Sequence, residues 1–151
     1  GIVHFGTGQI VEAEAPLREA ISLGKEIRIP ARELARMYYW LGETLWWQDH
    51  RQTLIQIGEE GLALLGDDVE SVEAVLMNHL IEAGYAETDW DKARVIAYRM
   101  AQSVHRLPYV EELRPAYEII AFAYWKDGDL DDALRWAQIL EAEAQASHAA
   151  G

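Results

Sequence analysis

The sequence has no cysteine, which excludes disulfides, thiolate metal sites and a cysteine nucleophile together and fits a reducing compartment. Cytoplasm is the expected location. Basic residues are also scarce, with 13 Lys and Arg against 26 Asp and Glu and a formal net charge of -13. That balance repels nucleic-acid phosphate and anionic lipid, so neither nucleic acid nor membrane is an expected partner. No apolar run approaches the roughly 18 residues of a bilayer span, and no basic, hydrophobic leader opens the chain. Sustained two-residue alternation is missing as well, so no strand is expected. What remains is a chain of 151 residues, 50% hydrophobic and 26% charged, long enough for one domain with a buried interior.

A phrase returns about every 40 residues. A turn residue, a spacer, a bulky side chain and, three residues later, a small one open a helix at Gly8-Gln9-Ile10-Val11-Glu12-Ala13. The phrase recurs at Thr88-Asp89-Trp90-Asp91-Lys92-Ala93 and at Gly128-Asp129-Leu130-Asp131-Asp132-Ala133. A degenerate copy, Asp49-His50-Arg51-Gln52-Thr53-Leu54, lies between the first two, so the anchors fall at 13, 54, 93 and 133. A fixed period in this range signals stacked repeats, each of which must bury its apolar face on its neighbours.

Apolar spacings of three and four mark the helices. From Ile10 to Ile27 they run through Leu17, Ala20, Ile21 and Gly24, with Pro16 either in the first turn of a later-starting helix or kinking it. Ile29-Pro30 ends that segment. Ala31 to about Gln48 follows through Leu34, Tyr38, Leu41 and Leu45, with Gly42 admitting a close neighbour, and Arg51 to Leu65 continues after the break at Asp49-His50. Gly66 reads as a C-cap, followed by capping acids Asp67 and Asp68. Val69 to Ala86 and Trp90 to His105 form a third pair, closed by Leu107-Pro108, and Tyr109 to Lys126 and Leu130 to about Gln145 a fourth, with a frayed Ala-rich end. The expected fold is therefore all-α, with about seven helices in a single domain over residues 1–151: a partial unit 1–30 and units 31–68, 69–108 and 109–146. The chain opens at Gly1 rather than Met, and Gly1 to Gln9 leads into a unit whose first half is missing. A fragment of a larger protein is expected.

Tyr117, Ile120-Ala121, Tyr124, Gly128-Asp129 and Ala133 follow the order aromatic, large-small, Tyr, Gly-Asp, Ala, and in this the chain resembles the tetratricopeptide repeat (TPR). Tyr38, Leu41-Gly42 and Leu45 fit the first half of that pattern, Arg51, Leu54 and Gly58 fit the second half poorly, and Gly84 stands where a Tyr is usual. The period of about 40 exceeds the family's usual 34 and is similar to the longer variety in the C-terminal arms of STAND-type signalling ATPases and transcription regulators. The resemblance implies a right-handed α-solenoid of antiparallel helical hairpins whose first helices line a concave groove. Carried onto this chain, the groove positions are Arg36, Tyr39, Glu43, Trp46 and Trp47, then Asn78, Glu82 and Tyr85, then Glu118, Phe122, Trp125 and Lys126. Aromatics beside isolated charges suit a peptide hot spot. Aromatic burial preferences weigh Trp46 and Trp125 toward inter-repeat filler and leave Trp47 and Tyr39 as the sharper groove positions.

Catalysis is not indicated. Asp127 to Asp132 alternates carboxylates, but an EF-hand started at Asp127 would meet Asp132 and Gln138 where Gly and Glu are required, so the acids read as caps of the following helix. His79 and Glu82 stand three apart on a helix without a third ligand nearby, and no metal site is expected. His50 and His105 read as solvated turn residues, and Gly6-Thr7-Gly8 lacks the strand and remaining motif of a phosphate loop. No cofactor is expected. The leading expectation is a non-enzymatic module that binds a protein or peptide, one carrying Lys or Arg by charge complementarity. The alternative is a sensor arm of a multidomain STAND-type signalling ATPase or transcription regulator, where a small-molecule ligand shifts an autoinhibited state. A third expectation is self-association through an uncapped terminal repeat.

Overall fold

A computed structural model describes the backbone of residues 7–150 and side chains from residue 12 onward. Gly1 to Gly6, which hold the opening of the expected unit 1–30 and the Gly6 of Gly6-Thr7-Gly8, lie outside the described residues. Within them the chain is helical and without strands, as expected. Seven α-helices follow one another: α1 (Thr7–Glu26), α2 (Ala31–Trp47), α3 (Arg51–Leu65), α4 (Val72–Tyr85), α5 (Trp90–Val104), α6 (Arg114–Lys126) and α7 (Leu130–Ala149). Among the described residues, no helix is long and apolar enough to cross a membrane.

Several boundaries differ from the sequence expectation, each for a local reason. α1 starts by Thr7, taking in Gly8, and runs uninterrupted past Pro16, which stands in its interior rather than its first turn. The missing N–H there removes one helical hydrogen bond. α4 begins at Val72, not Val69, because Ser71 caps it, its Oγ accepting from the Ala74 N–H at 3.2 Å. Asp68, expected to cap, instead accepts from Arg32 Nε and Nη2 at 2.6 and 2.9 Å. α6 begins at Arg114 rather than Tyr109, after a 3-10 turn at Glu111–Leu113. Pro115 belongs in a first turn, where its lack of an N–H costs nothing. α7 runs on to Ala149, beyond the expected end near Gln145; alanine, the best helix former, carries it there.

Three connections share one backbone device. Arg28, Asp49 and Gly128 adopt φ of 57°, 61° and 84°. At each, the following N–H reaches five residues back, as in Ile29 to Gly24, His50 to Leu45 and Asp129 to Tyr124, at 2.9 to 3.1 Å. This is the left-handed helix ending that glycine favours, and Asp49 supplies it in the degenerate copy of the repeated phrase. Asp129 then caps α7 by accepting from the Asp132 N–H at 3.1 Å, as the acidic turn predicts.

Each helix packs on the next, and in addition α2 packs on α4 and α4 on α6. The interior runs along the stack. One cluster joins Ile21 of α1 to Leu34, Leu41, Leu54, Met77 and Leu80; a second joins Ile55, Val75 and Ile81 to Met100, Leu113, Ile120 and Trp136. Helix α4 belongs to both. A side chain as buried as Leu41 or Ile120 contributes about 1.5–3 kcal/mol over its exposed state.

The positions that fit the repeat pattern poorly are close contacts between α3 and α4. A Cβ on Gly58 would stand 2.8 Å from the Met77 carbonyl, and one on Gly84 2.9 Å from the Arg51 carbonyl. Any side chain there would force two backbones apart.

Candidate functional site

Helices α2, α4 and α6 share a face, and a pocket of about 410 Å³ opens on it. Its lining includes Glu43 and Trp46 from α2, His79 and Glu82 from α4, Glu118 and Phe122 from α6, and Arg51 at the start of α3. Five of the twelve groove positions named from the sequence therefore meet at one place: Glu43, Trp46, Glu82, Glu118 and Phe122.

Glu82 is the unusual member. It is 4% exposed, and burial raises its carboxyl from 4.5 to about 7, with His79 pulling the other way. Among the described residues it makes no hydrogen bond or ion pair. His79 Nε2 stands 3.7 Å from Glu43 Oε1, a contact that becomes an ion pair when the imidazole is protonated. Arg51 is held elsewhere, by Asp49 at 2.9 Å, by Glu87 at 3.2 Å and by the Ala83 carbonyl at 3.3 Å.

Aromatic side chains flank the pocket on both sides. Trp46 is 38% exposed and meets Trp47, 64% exposed, edge to face at 4.9 Å. Phe122 and Trp125, 48% and 58% exposed, lie 5.6 Å apart, and Phe122 also meets Trp90 edge to face at 5.8 Å. Lys126 Nζ sits 4.1 Å over the Trp90 ring, a cation–π contact between two residues that do not line the pocket.

The remaining positions are placed differently. Trp46 and Trp125, weighed as inter-repeat filler, are open to solvent. Tyr39, read as a groove residue, is buried with its ring 6.3 Å from His79; burial and the Glu43 carboxylate both raise its phenol. Arg36 pairs across α2 and α4 with the buried Glu73 at 3.1 Å. Tyr85 lies under Lys92, 5.1 Å from Nζ to ring centre. Asn78 lines a separate cleft with Leu62, Arg99 and Ser103, donating to the Ala74 carbonyl at 3.0 Å while its Oδ1 has no partner.

His79, Leu80, Glu82 and Ala83 of α4 line the pocket, with Ala86 just past its end, so of the carried positions Asn78, Glu82 and Tyr85 only Glu82 faces it. Glu82 lies one helical turn from both 78 and 79, and spacing alone does not choose between them. His79, weighed in sequence only as a metal ligand, was reachable by taking the three-residue step instead. No group of three or more metal-ligating side chains occurs among the described residues. Asp127 instead accepts from the Tyr98 hydroxyl and from Arg94, and these partners hold its carboxyl below the usual range. His105, exposed as expected, rests its ring 4.8 Å from that of Trp136. The chain matches no family model, no curated protein and no solved structure.

Proposed function

We propose that the chain is a non-enzymatic scaffold that binds a segment of another protein, or a peptide, in the groove over α2, α4 and α6. In this reading the helices are a right-handed stack of antiparallel TPR-like hairpins. The order of contacts supports it, since α2, α4 and α6, the first helices of successive units, pack on one another. The observation that carries the function is the meeting of exposed aromatics, Trp46 and Phe122, with acidic side chains at one pocket. Rigid aromatic area supplies affinity and charges set register. A formal charge of -13 favours a partner segment rich in Lys or Arg, chiefly through encounter rate and discrimination.

Selection from a randomised displayed-peptide library tests the groove. Peptides that bind the parent chain should lose about tenfold or more in affinity on Trp46→Ala or Phe122→Ala. Far-ultraviolet circular dichroism should be unchanged, because both rings are partly open to solvent. Binding indifferent to both substitutions removes the groove from the reading.

A further inference from the structure

We infer that the pocket between α2, α4 and α6 receives the cationic end of a lysine or arginine side chain from the bound partner, with the Glu82 carboxylate as its counter-charge. The inference rests on the peptide-binding reading and names the side chain that anchors it.

A buried carboxylate with no partner is costly, and proteins retain one only where something pairs with it or where it stays protonated. Glu82 has neither a hydrogen bond nor an ion pair among the described residues, yet it borders the pocket rather than sealed core. Four carboxylates line the pocket, Glu43, Glu82, Glu87 and Glu118, against Arg51 and His79. Glu43 stands on α2 and Glu118 on α6; on α4 His79 leans toward Glu43; at the α3 end Arg51 is occupied by Asp49 and Glu87. Among the described residues no basic side chain pairs with Glu82: His79 opposes the effect of burial on it but is within ion-pair range of Glu43, and Arg51 is paired with Asp49 and Glu87.

The walls suit the rest of such a side chain. Trp46 of α2 and Phe122 of α6 line the pocket, offering ring surface on which the methylene stem of Lys or Arg packs while its head seeks charge. A volume of about 410 Å³ falls within the range of small-ligand sites, so the head group enters without displacing a helix. Burial that makes Glu82 hold a proton near neutrality makes the same site responsive to a cation, which takes the proton's place.

Small cations isolate the anchor from the rest of a peptide. n-Butylammonium and n-butylguanidinium, titrated at pH 7 into the chain carrying 13C-labelled glutamate, should shift the Glu82 carboxyl resonance along a saturating curve. They should also lower its titration midpoint by about one pH unit or more. Neutral n-butylurea should do neither. The Trp46 indole resonance should move along the same saturating curve; Glu82→Gln should abolish that indole response and weaken groove-selected peptides about tenfold or more, and Glu118→Gln should weaken it while leaving Glu82 observable. A non-saturating response, an equal response to butylurea, or an unchanged one in Glu82→Gln overturns the anchor. Groove-selected peptides that depend on Trp46 but are indifferent to Glu82→Gln also overturn it and leave the groove reading standing. Peptides indifferent to Trp46 and Phe122 remove the groove reading, and the anchor with it.

Discussion

Helices α4 and α7 both have more apolar than polar side chains, α4 the larger share, but they sit in different surroundings. α4 has fourteen residues and buries ten of them, among them Glu73, Asn78 and Glu82, whereas α7 has twenty and buries two, Trp136 and Ala144. α4 is covered by α2, α3, α5 and α6, while α7 leans chiefly on α6. In a stack of this kind a helix in the middle is wrapped on nearly all sides, and a polar residue there has to be paired, hydrogen-bonded or protonated. Glu73 is paired with Arg36 and Asn78 is half satisfied, but Glu82 has no partner among the described residues. The end helix meets no such demand, and its exposed Leu130 and Leu134 cost little.

The largest effect expected from this contrast is at Leu80, 1% exposed and seated where a Cβ on Gly42 would stand 2.5 Å from it. Leu80→Ala should destabilise the chain by about 2–5 kcal/mol, because helices held backbone to backbone at Gly58 and Gly84 cannot close over the cavity. Urea unfolding monitored by circular dichroism measures this. A loss under about 1 kcal/mol would mean that α4 is less tightly held than its burial states.

Next comes Glu82, through pH. Its carboxyl is raised from 4.5 to about 7 by burial, so the folded chain binds this proton more tightly than the unfolded chain does. The resulting stability is fully present below pH 4.5 and is lost as pH rises through about 7, a total of roughly 3 kcal/mol. Replacement by glutamine removes the dependence. Between pH 4.5 and 8 the stability difference should move in favour of Glu82→Gln by up to about 3 kcal/mol. Parallel profiles for the two chains would place the Glu82 carboxylate in water. The same substitution is the one that should abolish the cation response, so stability and binding are expected to move in opposite directions above neutrality.

Much of this architecture is legible in the sequence, and what is not has particular causes. The period of about 40, with glycine, acid or proline at the turns, locates every helix, because turn chemistry and three-to-four spacing are local properties. The starts of α4 and α6 differ from the expected ones where a cap or a proline outranks apolar spacing: Ser71 over Asp68, and Pro115 over the run from Tyr109. The poor repeat matches at Gly58 and Gly84 carry information of another kind, since only the apposition of two backbones shows why a side chain is excluded. At the pocket, the groove positions that the tetratricopeptide resemblance implies include Glu82 but say nothing of its isolation, which depends on where Arg51 turns. Exposure of Trp46 and Trp125 likewise depends on neighbours far away in sequence.

The smallest effect is expected on α7. Leu134 is 59% exposed, so Leu134→Ala removes little buried surface and puts a better helix former on an open face; stability should change by less than about 0.5 kcal/mol. Trp136, two residues away, is buried against Tyr117 with ring centres 5.8 Å apart and supplies the hold of α7 on the stack. A near-silent Leu134 beside a sensitive Trp136 would confirm that the end helix is anchored along one line. A loss of about 2 kcal/mol at Leu134 that grows with protein concentration would instead show a second chain covering that face, because stabilisation by a partner follows mass action. In that case α7 would be an interior helix of an assembly, and its contrast with α4 would belong to the isolated chain alone.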